Sequence, residues 1–190
     1  MIPLGVLASA YVAPAGGASG VYDSFNRANS TTGLGTADTG QSWIPVAGVL
    51  GITNNEAYLV SGNAMSVINF GNVIMQVSAT VSVFADYWPD IYACTDVNGA
   101  GGFIANKDNA GMRLASYGGS YPIANGDTVT LRVASASETT VNVSLLINGA
   151  TKITWAGRPR PSATNTYAGF DIKSGRTTAR VNAFTVEGLQ

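Results

Sequence analysis

The chain contains no histidine, one cysteine and three glutamates, and charged residues make up only 11% of its 190 positions. Each shortage removes a class of chemistry. Without an imidazole there is no Ser-His-Asp or Cys-His triad and no histidine metal ligand. Cys94, being alone, can form neither an intrachain disulfide nor a thiolate metal cluster, and it reads as a small buried strand residue. A glycosidase needs two carboxyl groups about 5–9.5 Å apart. Glu56, Glu138 and Glu187 stand in separate segments, and no two acids are spaced i, i+2 so as to share one face of a strand. The nearest acidic pair, Asp86 and Asp90, flanks Trp88-Pro89 in an expected loop. These absences argue that the protein is not an enzyme. Ten basic and eleven acidic residues, scattered without a run, give a net charge of −1. That excludes the basic footprint of a nucleic-acid or anionic-membrane binder. Near-neutrality also does little to hold copies apart, which suits a component of an assembly.

What is present is alternation. In "VIMQVSATVSVF", Val73, Met75, Val77, Ala79, Val81 and Val83 fall on one face, with Gln76, Ser78, Thr80 and Ser82 on the other. "DTVTLRVA" sets Val129, Leu131 and Val133 against Thr128, Thr130 and Arg132. "TVNVSLLINGATKITW" alternates to Ile147, turns at Asn148-Gly149 and resumes, a strong hairpin signal because both residues tolerate positive φ. Shorter strands fit "VYDSF", "GVLGI", "EAYLV", "AMSVINF", "DIYAC", "GGFIANK", "GMRLASY", "YAGFDIK" and "RVNAFTV". Turn formers separate them, at Thr53-Asn54-Asn55, Ser61-Gly62-Asn63, Gly71-Asn72 and Asn125-Gly126-Asp127. In "RVNAFTV", Val181 and Phe184 both face inward only if a bulge intervenes. The pattern predicts an all-β fold, an antiparallel two-sheet sandwich over residues 21–190.

Residues 1–20, "MIPLGVLASAYVAPAGGASG", precede the first strand. They carry no Lys or Arg, as a signal peptide would, and their apolar run is far short of the ~20 residues of a membrane-spanning helix. The expectation is an extended assembly arm in which Ile2, Pro3, Leu4, Val6, Leu7, Tyr11 and Val12 dock on a neighbour, without membrane insertion.

"DSFNRANSTTGLG", then Gly40 with "SW", then "GITNNEAYLV", and near the end "ARVNAFTV" resemble concanavalin A-like or laminin-G-like jelly-roll domains, over roughly residues 20–188. The opening "IPLGVLASA" with its Gly/Ala linker resembles the start of minor tail proteins of actinobacteriophages. These resemblances imply a jelly-roll β-sandwich of the lectin/glucanase type in a phage virion. Its partners would be other virion proteins, copies of itself, a trimer among the options, and a host-surface glycan. A capsid-decorating protein and a secreted carbohydrate-binding module or glycosidase are the alternatives.

Aromatic residues supply the candidate ligand contacts. "DYWPDIY" gathers Tyr87, Trp88 and Tyr92 around Pro89, and "SYGGSYP" adds Tyr117 and Tyr121. Rings in end loops can stack on sugar faces, although the alternation leaves open that Trp88 and Tyr92 merely close the sandwich. Trp43 and Trp155 are predicted to be core. "RPRPS", with Arg158 and Arg160, reads as a stiff solvated loop rather than an anion site. Asp96, Asn98, Asp108 and Asn109 could offer oxygens to Ca²⁺, but Asp and Asn in such places are expected to form turns, so no cofactor is predicted.

Overall fold

The computed structural model describes residues 20–83, 88–108, 110–115 and 117–189. The arm residues before Gly20, together with Asp86, Tyr87 and Asn109, lie outside them. The described residues form strands and turns without a helix. The strands are β1 (Val21–Asp23), β2 (Trp43–Thr53), β3 (Glu56–Asn69), β4 (Met75–Val83), β5 (Asp90–Thr95), β6 (Phe103–Asp108) and β7 (Gly111–Leu114). Then follow β8 (Tyr117–Tyr121), β9 (Thr128–Ser135), β10 (Thr140–Ile147), β11 (Ala150–Pro159), β12 (Tyr167–Ile172) and β13 (Arg180–Gly188).

All pairings between strands are antiparallel, in the order β11-β10-β9-β4-β13-β3-β12-β5-β6-β7-β8, with β1 beside β13 and β2 beside β3. The order curls into a jelly-roll sandwich because β3 serves both layers. Its first part, at Ala57 and Tyr58, pairs with β13, and its second part, Ala64–Asn69, pairs with β12. Between them lies Ser61-Gly62-Asn63, which is a bend inside one long strand rather than the expected turn. Gly62 has φ +72 there, and β2 bends alongside at Gly48, φ +50. A Cβ on Gly48 would stand 2.7 Å from the carbonyl oxygens of Ser61 and Asn63, so the two bends nest only because it is glycine.

The alternation read in β4, β9 and β10 holds. Met75, Val77, Ala79, Val129, Leu131, Val133, Val141, Val143 and Leu145 are all buried. Opposite them, hydroxyls pair across the outer face, Ser78 with Thr130 at 2.8 Å and Thr80 with Thr128 at 2.7 Å, which makes a polar surface without charge. The bulge expected in β13 lies between Val181 and Ala183 and turns both Val181 and Phe184 inward. Asn148 and Gly149 take φ of 52° and 77° at the β10–β11 hairpin. Cys94 is buried as predicted and is skipped in the pairing of β5 with β12; burial pushes its thiol up to about 12.

The segment that carries the family resemblance holds the fold together. Asp23 is fully buried, and its carboxylate accepts the Arg27 guanidinium at 2.6 and 2.8 Å, the Trp43 indole N–H at 2.7 Å and the Phe25 backbone N–H at 2.8 Å. Trp43 is core, as predicted, with ring centroids 5.4 Å from Phe170 and 5.0 Å from Phe184. One buried acid therefore fixes the first strand, the chain reversal after it and the central indole together.

Candidate functional site

Of the five aromatic residues singled out in the sequence, Tyr87 lies outside the described residues, and the other four separate in space. Trp88 has no exposed surface and so cannot meet a ligand. Tyr92 is buried on β5, where its hydroxyl donates to Asp171 at 2.9 Å, and burial, then the Asp171 charge, raise its pKa. Tyr121 is half-buried against the core. Tyr117 alone among the described four is exposed, at 37%. The stretch expected as an aromatic loop is a strand, β8, at one end of the strand order.

Tyr117 has a partner that alternation placed in the core. Strand β11 ends the order on the other side, and the two terminal strands meet across the mouth of the sandwich. Trp155 on β11 is half-buried rather than internal, and its ring stacks on Tyr117 with centroids 4.9 Å apart and 6° between planes. Across the same seam, Gly118 packs against the tip of the Ile153 side chain, and its φ of +74 is one that favours glycine. Beneath the stack lies a cavity of about 100 Å³ lined by Phe103, Ile104, Leu114, Val143 and Trp155 among others.

Arg158 completes the group. Trp155 faces Val143 and Arg158 faces Val141, so three steps along β11 match two along β10. The bulge includes Gly157, at φ +65, whose N–H donates to the Asn142 Oδ1 at 3.0 Å. Val141 and Val143 share the inner face, so their partners do too. The Arg158 guanidinium consequently lies 3.8 Å from the Trp155 ring centroid, a cation–π contact rather than the solvated loop read from "RPRPS". Arg160 is likewise held, donating to the Ser135 Oγ and the Ser137 carbonyl at 3.3 Å.

A second hollow flanks Thr32–Gly35. On one side is a cleft of about 290 Å³ lined by Trp43, Pro45, Leu50 and Ser66, and on the other a cleft of about 250 Å³ reaching Arg27 and Ile52. Neither gathers exposed aromatic rings or an unpaired charge.

Carboxylates do come together, though across strands. Asp90 and Asp171 are register partners on β5 and β12. The Lys173 ammonium lies 2.6 Å from Asp90 and 3.8 Å from Asp171, and Arg176 bonds Asp90 at 3.1 Å and the Trp88 carbonyl at 2.6 Å. Burial first, and the neighbouring Asp90 second, push the Asp171 carboxyl up to about 6. Burial would lower the Lys173 ammonium, but the hydrogen bond to Asp90 and the two carboxylate charges outweigh it and raise its pKa. The network closes on itself and ties β5 to the chain after β12.

The turn acids behave as turn formers. Asp96 accepts the Asn98 and Ala100 N–H groups at 2.8 and 2.9 Å. Asp108 accepts from Ser120, Ala110 and Gly111, and the Ser120 bond leads in holding its pKa down. Among the described residues no three His, Cys, Asp or Glu side chains cluster as a metal site.

No protein-family model matches the sequence, and no curated protein matches it significantly. Solved structures resemble the fold. The exoplasmic/lumenal domain of VIP36, in a Ca²⁺/Man3GlcNAc-bound form, is 11% identical, with 78% of this chain and 83% of that chain covered at a TM-score of 0.52. A conserved carbohydrate esterase from Shiga toxin-encoding bacteriophage phi24B is 14% identical, covering 78% of this chain and 90% of that one at 0.51. The carbohydrate-binding module CBM66 from Bacillus subtilis is 11% identical, covering 77% and 91% at 0.47. At these identities the likeness is one of fold.

Proposed function

We propose that this protein is a non-enzymatic carbohydrate-contacting display domain of a phage particle, which docks through residues 1–20 and meets a host-surface glycan at the β8–β11 seam. The observation that carries the reading is the exposed Tyr117 ring stacked on Trp155, with the next residues of the same strand, Gly118 and Gly119, adding no bulk. Such a ring offers a flat apolar face with a polar edge, as a sugar's axial C–H face requires. Two proteins of similar fold lend support, a lumenal domain bound to Man3GlcNAc and a phage carbohydrate esterase. The virion assignment rests on the resemblance of the opening residues to minor tail proteins.

The test is binding to isolated host cell-surface polysaccharide. Wild-type protein should bind, and Tyr117→Ala should weaken binding about tenfold or more, the usual cost of truncating an aromatic anchor. Unchanged binding by the variant would remove the seam from the account. Deleting residues 1–20 spares β1, which starts at Val21. The truncated protein should remain folded and keep glycan binding while losing attachment to particles. Attachment that survives the deletion would remove the arm from the account, and glycan binding by a full-length protein that does not attach to particles would favour a secreted carbohydrate-binding module instead.

A further inference from the structure

We infer that the seam selects acidic saccharides, with Arg158 as the carboxylate-binding residue; the inference rests on the glycan reading of the same site. The Arg158 side chain is half-buried and makes no ion pair or hydrogen bond among the described residues. Its Nε is buried without an acceptor, and its guanidinium packs on the Trp155 ring instead. A guanidinium is always charged and carries five donors in a planar fork; with Nε buried, the terminal nitrogens of this half-buried side chain are the donors left to take a ligand's acceptor.

The surroundings do not neutralise it. From Ala150 to Phe170 the chain carries Lys152, Arg158 and Arg160 and no acid, and from Ala110 to Gly126 it carries Arg113 and no acid. The seam is thus locally cationic on a chain whose net charge is −1. Of the acids flanking these stretches, Asp108 faces Arg113 at 3.7 Å and takes the Ser120 hydroxyl, and Glu138 is an exposed residue of the β9–β10 turn, where the Thr139 carbonyl accepts the Arg160 N–H. An exposed ring beside an unpaired guanidinium suits a sugar that presents a C–H face to Tyr117 and a carboxylate to Arg158. Charge-assisted, bidentate bonding of that carboxylate supplies the discrimination against neutral sugars.

The experiment titrates the full chain with a set of uronate oligosaccharides, each beside its carboxyl-reduced counterpart, by calorimetry at low salt. Wild type should bind the acidic form of at least one sugar about tenfold or more tightly than the reduced form. Arg158→Gln should erase that difference, so that the acidic and reduced forms bind alike whatever the variant's absolute affinity, whereas Arg158→Lys should keep part of it. Circular dichroism and Trp155 emission check that the variants remain folded. Equal wild-type affinity for both forms, or a preference that survives Arg158→Gln, overturns the inference while the glycan reading stands. Failure of wild type to bind either form of any sugar overturns both.

Discussion

Asp23→Ala should lower the unfolding free energy by about 3–5 kcal/mol, the range found when one partner of a buried ion pair is removed. The carboxylate has no exposure and satisfies four donors, from Arg27, Trp43 and Phe25. Truncation leaves the buried indole N–H without its acceptor and leaves the partly exposed Arg27 guanidinium with the Leu34 carbonyl and Asp38 at 3.7 Å alone. Phe25 sits at φ +53, which a non-glycine residue holds only when its surroundings dictate it. Loss of the Asp23 acceptor should therefore loosen the Phe25 ring, which lies 6.2 Å from Trp43 and 6.1 Å from Phe170. Urea unfolding followed by tryptophan emission reads the effect as a lower midpoint at constant slope. A loss below about 1 kcal/mol, the value of an ordinary exposed pair, would mean that the network is ornamental.

The second large effect has opposite signs at two neighbouring acids. Asp90→Ala strips Lys173 and Arg176 of their shared carboxylate and should cost about 3–5 kcal/mol. Asp171→Asn should instead stabilise the protein above pH 6. The folded-state pKa of Asp171 is raised from the ordinary 3.8 to about 6, so between those values the folded state holds a proton that the unfolded chain has released. Stability from this group consequently falls as pH rises from about 4 to about 6, and the loss persists above. A shift of about two units corresponds to at most about 3 kcal/mol. The carboxamide introduced by the substitution would still accept the Tyr92 hydroxyl, without the charge. Unfolding free energies between pH 4 and 8 should show the Asp171→Asn and wild-type curves diverging through that window. Parallel curves would contradict the assignment.

Legibility in the sequence followed how far each feature depends on parity along one strand. Strands β4, β9 and β10 announce themselves because one face is all Val, Leu, Ile, Ala and Met, and the other is mostly Ser, Thr, Asn, Gln and Arg. Strand β8 is hidden because Gly118 and Gly119 have no side chains with which to alternate. Gly62 looks like a turn, since a bend and a turn use the same positive φ, and only the matching bend at Gly48 tells them apart. Trp155 alternates correctly in sequence, yet it lies on a terminal strand whose inner face opens at the seam. The bulge at Gly157 then breaks the parity that would have set Arg158 on its side. Asp90 and Asp171 are 81 residues apart, and their meeting depends on β5 pairing with β12, which no local spacing encodes. Trp88 and Tyr92 looked like ligand contacts because they are aromatic and near a proline, but the ionic network around Asp90 draws that segment inward.

The central claim is that a glycan meets the protein at Tyr117 and Trp155, and the three indoles make it directly testable. Trp43 lines the cleft beside Thr32–Gly35, Trp88 is fully buried, and Trp155 stands at the seam. Titration of ¹⁵N-indole-labelled protein with the bound saccharide, followed by NMR, should move the Trp155 Nε1–H resonance and leave those of Trp43 and Trp88 in place. A shift at Trp43 with Trp155 unmoved would put the ligand in the other cleft and contradict the account.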